Sequence, residues 1–481
     1  MPSRNFTGAA PEELYPHLAE LREEIGVLPA FSEEAERDAA KAASQVFEAP
    51  DLTEIPFVTI DPPGAKDLDQ AVHIERLGEG HRVRYAIAAV GRFVQPGSAL
   101  DREVLERGVT VYGPRQSYPL HPLSLSAGAA SLLPGEDRPA YVWTFELDSE
   151  GTPTQTRVEF ALVRSRAQLT YEQVQDALDG GSGLPSSAPS DLPRLLAEVG
   201  ERRIAIEEER GGISLDIPDQ DVVRTPDGYE LVFRATLPVE SYNAQVSLLT
   251  GIEAARLMRE AGVGIFRTLP RAKKRDIRRM RLTAKALEIE WPGHYGYPQF
   301  VRSLDSRIPS HAAFMVQATT LFRGSGYHAF TDGAPHDRMA HGAIASEYAH
   351  VTAPLRRLVD RYGLEICLAH CEGRPVPERI LADLPAIPEI MAEGSGRANR
   401  YERGAVDLIE ALILEPHIGE DFRGVVVDVD ERKEDRGTLM VPEPAVQARV
   451  EGTDLPLGEA VTAELTQADP GTRRVTFSLD H

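Results

Sequence analysis

The sequence predicts a multidomain α+β protein: a short helical N-terminal segment, a large mixed α/β domain and a C-terminal five-stranded OB-type barrel. Three observations predict it. The 481 residues exceed one domain of roughly 150 residues. Strand-like and helix-like runs mix through the middle of the chain, and beyond Asp421 the chain breaks into five short alternating runs separated by turn residues. With 42% apolar and 26% charged residues, the composition is that of a globular chain and excludes a wholly disordered or collagen-like one.

Residues 1–50 are expected to form the helical segment. Leu14, Leu18, Leu21 and Ile25 fall on one helical face, with Pro16 in the first turn. A second helix is expected from Ser32 as N-cap to about Phe47, with Glu33 and Glu34 at its positive end and a small-residue stripe of Ala35, Ala39, Ala42 and Val46. Such a pair fits a helix-turn-helix, but it lacks a basic recognition face, which favours a packing or substrate-guiding role. The mixed α/β domain spans 51–413. Phe57 to Ile60, Ala71 to Ile74, Val83 to Ala89 and Tyr141 to Leu147 read as strands; Glu240 to Glu260, Ser310 to Phe322, Leu355 to Cys371 and Ile387 to Leu414 read as helices. Asp179 to Pro193 (DGGSGLPSSAPSDLP) reads as a loop or hinge. Residues 414–481 hold the runs FRGVVVDVDER, GTLMVPEP, VQARVEG, AVTAELTQAD and RRVTFSLD. They predict a small OB-type barrel, with a small β sandwich as the competing arrangement.

No stretch approaches the roughly 20 uninterrupted apolar residues of a membrane span, and the opening MPSRNFTGAAPEEL has no apolar core of a secretory signal. Cys367 and Cys371, one helical turn apart without metal-ligand partners, read as core thiols. Together these features predict a cytoplasmic chain. The net charge of −23 argues against a generic nucleic-acid coat. Its distribution is uneven: from Arg256 to Lys285, including Lys273, Lys274 and Arg275, eleven Lys or Arg face two acids, so this segment carries +9 and the remainder −32. The run is either a solvated helix face or a local channel wall for a polyanion.

The most informative stretch is TIDPPGAKDLDQAV, Thr59 to Val72. A strand ends at Asp61, a Pro-Pro-Gly turn follows, and Asp67 and Asp69, two apart in extended chain, point the same way. Convergent carboxylates repel unless cations sit between them. Hard oxygen ligands with open positions suit magnesium or manganese, and two such ions serve phosphodiester hydrolysis. Aspartates also favour turns, so the spacing alone leaves a structural reading open; it does not fit an EF-hand, which argues against calcium. In SEYAHVTAPLRRLVDR, Ser346 to Arg361, Pro354 at a helix start is expected to leave Arg356 and Arg357 in the first turns, where an arginine fork holds a phosphate or pairs with acids such as Asp360.

On these residues the chain resembles the ribonuclease II and ribonuclease R (RNB) family of 3′→5′ exoribonucleases, from about Phe31 to His481. TIDPPGAKDLDQAV is similar to the family's catalytic signature, a TID start and a later D-x-D-D, and SEYAHVTAPLRRLVDR to its YAHFTSPIRRY-D signature. GSALDREVLERGVTVY, YPLHPLSLS, SLLPGEDRPA and VESYNAQVSLLTGIEAARLM follow in the family's order. The resemblance implies hydrolysis of single-stranded RNA from its 3′ end to nucleoside 5′-monophosphates with magnesium or manganese, by a monomer with an S1-like RNA-binding barrel. It implies metal ligation by Asp61, Asp67 and Asp69, with Asp69 catalytic, phosphate binding by Arg356, base stacking on Tyr112 and a 3′-nucleotide contact from Glu402. Tyr112 as a core tyrosine and Glu402 as a solvated helix acid remain the structural alternatives. The family's fourth aspartate is Gln70, an amide able to ligate a metal but without negative charge. His121 replaces a family leucine, and the helical segment stands where the family has tandem cold-shock domains. Gln70 prompts an alternative function, a weak or inactive RNA-binding regulator; a phosphoesterase for small substrates explains the acids but not the barrel.

Overall fold

The computed structural model describes residues 4–7, 14–114, 116–214, 219–225, 228–234, 236–337, 339–430 and 433–479. Most of the opening stretch read for a signal, and residues 431 and 432 of the first C-terminal run, lie outside these. The N-terminal segment holds a strand, β1 (Arg4–Thr7), before α1 (Leu14–Ile25) and α2 (Glu33–Ala43). Ser32 caps α2 by accepting from the Ala35 N–H, an arrangement worth about 1 kcal/mol. The helix stops at Ala43, short of Phe47, whose ring leaves it to pack edge-on against Phe93 and Phe160.

The first strands of the large domain close a barrel: β2 (Phe57–Ile60), β3 (Gln70–Leu77), β4 (Gly80–Ala88), β5 (Asp137–Leu147) and β6 (Pro153–Leu169), in that order, with β6 returning parallel to β2. Val58, Val83, Trp143 and Phe145 are completely buried in it. The β4–β5 connection carries α3 (Ala99–Arg107). The helices α1 and α2 do not stack as a helix-turn-helix: α1 packs on the long helix α12 (Ile387–Leu414), with Leu21 against Gly404, and α2 packs on α3. Asp38 of α2 accepts from the Ala99 and Leu100 amides at the start of α3. Each helix thus spends its apolar stripe on a different partner.

Behind the barrel come α4 (Tyr171–Leu178), α5 (Leu192–Arg210), the hairpin β7 (Asp219–Thr225) and β8 (Gly228–Arg234), and α6 (Pro238–Ala261). β1 joins the hairpin as a parallel third strand on β7. β9 (Gly264–Thr268) is followed by a three-helix layer, α7 (Lys274–Ala286), α8 (Tyr297–Arg302) and α9 (Pro309–Ala318), then by β10 (Gly326–Phe330), which pairs with β9. The layer has its own core around Met280, Trp291, Phe300 and Phe314, and Val425 and Val427 of the C-terminal barrel plug into it. Next are α10 (Leu358–Cys371), α11 (Glu378–Asp383) and α12. Cys367 is buried, as expected, but Cys371 is exposed.

The C-terminal runs form β11 (Asp421–Asp430), β12 (Lys433–Val441), β13 (Val446–Glu451), β14 (Ala460–Asp469) and β15 (Arg474–Ser478). They close in the order β11-β12-β13-β15-β14, a barrel rather than a sandwich.

Candidate active site

The acid-rich loop joins β2 to β3. β2 has every residue buried and runs into Asp61, whose N–H donates to the Leu169 carbonyl at 3.0 Å. Pro62 and Pro63 then turn the chain, and Gly64 sits at φ +83°, a conformation a side chain would strain. From there the loop is tied down residue by residue. Gln168 donates to the Ala65 carbonyl at 2.8 Å, and the Ser131 hydroxyl donates to the Lys66 carbonyl at 2.7 Å and accepts from the Leu68 N–H at 3.0 Å. With Leu68 fully buried, Asp67 and Asp69 are fixed on either side of it.

Asp69 is the junction of the two sequence signatures. Its Oδ1 accepts from the Leu355 N–H at 2.8 Å, and its Oδ2 lies 3.8 Å from Arg356 Nε. The carboxyl is 5% exposed. Burial pushes its pKa well above the carboxylate range, Arg356 and the Leu355 amide oppose the rise, and the Asp360 and Asp67 charges add to it. Asp61 is half-buried; burial first, then the Asp67 charge, pushes it up to about 7 against the pull of Arg356. Its Oδ2 is buried without a hydrogen-bond partner among the described residues, an arrangement that costs free energy unless something positive arrives. Hard, partly orphaned carboxylate oxygens of this kind fit a magnesium or manganese ion. Among the described residues, no three His, Cys, Asp or Glu side chains stand close enough to be a finished metal cage.

Arg356 is not in the first turn of a helix as the sequence led us to expect. The helix starts at Leu358 with Arg357 as its N-cap, and residues 354–356 form a turn. Two carboxylates explain this: Asp69 takes the Leu355 N–H and Asp360 the Ala353 N–H, at 2.6 Å, so these amides are satisfied without helix. Arg356 keeps its side chain 47% exposed and reachable from outside. Arg357 differs. Its guanidinium is bound in bidentate fashion to the buried Asp360, at 3.0 and 2.9 Å, so the structural ion pair, rather than a phosphate fork, is what this arginine forms.

Tyr112 reaches Asp67, and Glu402 reaches Tyr112. The Tyr112 hydroxyl lies 3.4 Å from Asp67 Oδ2, and its N–H donates to Glu402 Oε1 at 3.4 Å. Gln70 is tied at both ends: its NH₂ donates to the Thr352 carbonyl at 2.6 Å, and its Oε1 accepts from the Tyr85 hydroxyl, which also contacts Ser247 at 2.9 Å. The buried His121 lies against the Leu355 carbonyl through Nδ1, at 3.2 Å. Lys273, Lys274 and Arg275 are exposed at the start of α7; Arg275 pairs with Asp276, and among the described residues no bond joins the three to the acids.

The sequence reading missed Tyr171, which senses the Asp61 and Arg356 charges and is pushed up to about 12 by burial. Its signal was the Thr170–Gln173 capping box that starts α4 just after β6. The Leu355 amide, being backbone, left none.

Comparison with known proteins agrees with this architecture. Residues 50–368 match the RNB domain, and 420–480 match the RNase II-type exonuclease C-terminal S1 domain. Ribonuclease R of Escherichia coli is 29% identical over 401 residues, covering 79% of this chain and 48% of that protein. Ribonuclease R of Aquifex aeolicus is 27% identical over 394 residues, covering 79% and 54%. The chain thus spans about half the length of the curated relatives it matches. Among solved structures, Mycoplasma genitalium RNase R in complex with ribose-methylated single-stranded RNA superposes with a TM-score of 0.86 at 19% identity, over 97% of this chain and 78% of that one. Yeast Ssd1, a pseudonuclease, superposes with a TM-score of 0.67 at 17% identity, over 93% and 53%. No helix among the described residues is long and apolar enough to cross a membrane. With two thirds of its length matched to the RNB domain and most of the rest to the S1 domain that accompanies it, this chain belongs to the RNB family.

Proposed function

We propose that the chain is a hydrolytic 3′→5′ exoribonuclease that shortens single-stranded RNA to nucleoside 5′-monophosphates, with magnesium or manganese held by Asp61, Asp67 and Asp69. The observation that carries this reading is the Asp69 junction, where one buried carboxylate meets the Leu355 amide and the exposed Arg356. When bound, divalent ions supply a nucleophile at neutral pH and stabilise the leaving oxygen. The protein's own groups do the rest. Asp69, locked by the Leu355 amide, keeps its free oxygen aimed between the acids and Arg356. Arg356 offers its exposed guanidinium to the scissile phosphate and neutralises charge that grows in the transition state. Tyr112 presents its ring to the terminal base, its hydroxyl steadied beside Asp67, and Glu402 fixes the tyrosine backbone. Stacking of this kind is worth roughly 1–3 kcal/mol per base without demanding sequence. The basic α7 and the C-terminal barrel offer the strand a surface outside the site.

The Gln70 amide supports a second reading, an RNA-binding protein with weak or no turnover. It brings no charge to the acids, and both of its ends are already bonded. One experiment separates the two. With 5′-labelled single-stranded RNA and magnesium, the first reading gives a ladder of shortening products and 5′-mononucleotides; retarded but intact RNA in both magnesium and manganese supports the second.

A further inference from the structure

A second cluster, formed by β9, β10 and the segment that leads to Arg356, holds a guanidinium with no carboxylate partner among the described residues. Arg267 of β9 is half-buried. Its guanidinium lies 4.8 Å from the centre of the Tyr327 ring and donates to Ser325 Oγ at 2.9 Å, and it has no acidic partner among the described residues. Tyr327 stands directly opposite it on β10. Two neighbouring arginines are already paired, Arg357 with Asp360 and Arg259 with Glu347.

His350 completes the cluster. Its Nδ1 is 2.7 Å from the Tyr327 hydroxyl, and its ring is packed edge-on against Tyr327 and Tyr348, at 5.7 and 5.5 Å between centroids. The residue as a whole is half-buried, and Nε2 makes no hydrogen bond among the described residues. Burial and the charges of Arg357, Arg267 and Arg356 hold the imidazole neutral. In the tautomer where the Tyr327 hydroxyl donates to Nδ1, the ring hydrogen is on Nε2 and His350 presents an N–H there. The Arg267 N–H donates to the Tyr348 carbonyl at 2.8 Å, which ties β9 to this segment. The same segment runs on through Thr352 to Arg356, which joins the cluster to the Arg356 backbone.

A half-buried guanidinium without a counter-ion is costly unless an anion joins it. Guanidinium plus a neutral N–H donor is the chemistry of a phosphodiester contact. We propose that Arg267 and His350, with Tyr327 as their positioning residue, form a second phosphate subsite that grips the RNA backbone next to the phosphate held by Arg356.

This inference rests on the RNA-processing reading, and its test keeps the two apart. Oligoribonucleotides are prepared with one internucleotide phosphate at a time, counted from the 3′ end, replaced by a neutral methylphosphonate. Binding is measured by anisotropy and cleavage by single turnover, for the wild type, Arg267→Gln, His350→Ala and Tyr327→Phe. At one position near the 3′ end, the replacement should weaken wild-type binding about tenfold, and should cost Arg267→Gln and His350→Ala nothing further. Tyr327→Phe should share part of that loss at the same position, which a purely structural role would not produce. Additive losses at every position would overturn the subsite even if the wild type degrades RNA. The non-additive position without any cleavage would uphold the subsite and overturn the enzyme.

Discussion

The barrel of β2–β6 and the barrel of β11–β15 close alike, each with four antiparallel pairings and one parallel pair. They differ in what covers their connecting loops. In the first, the β2–β3 loop is held by Ser131, Gln168 and the 353–356 turn, all remote in sequence, and these partners keep Asp69 buried. In the second, the half-buried acid Asp428 of β11 meets the Gln317 amide of α9 and the backbone of its own neighbour Val429. The barrel is a frame in both; remote segments roofing one loop turn acids into a site.

The largest effect is expected at the junction. Asp69→Asn should lower single-turnover cleavage of 5′-labelled RNA by ~10³-fold or more while RNA binding by gel shift stays within a few fold. Unchanged cleavage would move the site elsewhere. Arg356→Lys keeps the charge but loses the planar fork, and should cost about 10²-fold in the same assay. Gln70→Asp tests the amide tie. Asp is too short and has no N–H for the Thr352 carbonyl, so urea unfolding should show a loss of about 1–3 kcal/mol.

An effect confined to acid pH concerns His121, which burial holds down to about 3. The unfolded chain takes up a proton below about pH 6.5 that the folded chain refuses, so this group's stability is present above that pH and drains away down to about pH 3. His121→Leu should flatten the acid side of the stability curve by up to ~1.4 kcal/mol per pH unit across that window. An unchanged slope in urea melts between pH 6.5 and 4 would contradict the burial.

Much of this was legible in the sequence where side chains follow a period. Ile387–Leu414 and the five C-terminal runs carry their burial in their spacing, and the structure returns them with those limits or close to them; Phe57–Ile60, buried on both faces, shows instead as a short run of strand-forming residues. The first barrel was not legible as a barrel. Its longest strand, β6, opens with Pro153 and then Thr154-Gln155-Thr156-Arg157, polar on both faces because that end projects beyond the core. The turn at Arg356 was hidden because carboxylates at Asp69 and Asp360 replace helical bonds, and tertiary hydrogen bonds leave no local pattern. Arg357 was ambiguous for the same reason: its neighbour Asp360 decides it.

The central claim is that the acids of the first barrel, and not those of the second, hold the divalent ion. Manganese binding followed by electron paramagnetic resonance tests it directly on the wild type, Asp61→Asn, Asp69→Asn and Asp428→Asn. The account predicts that bound manganese falls sharply in the first two variants and matches the wild type in Asp428→Asn. Equal manganese binding in all four proteins would contradict it.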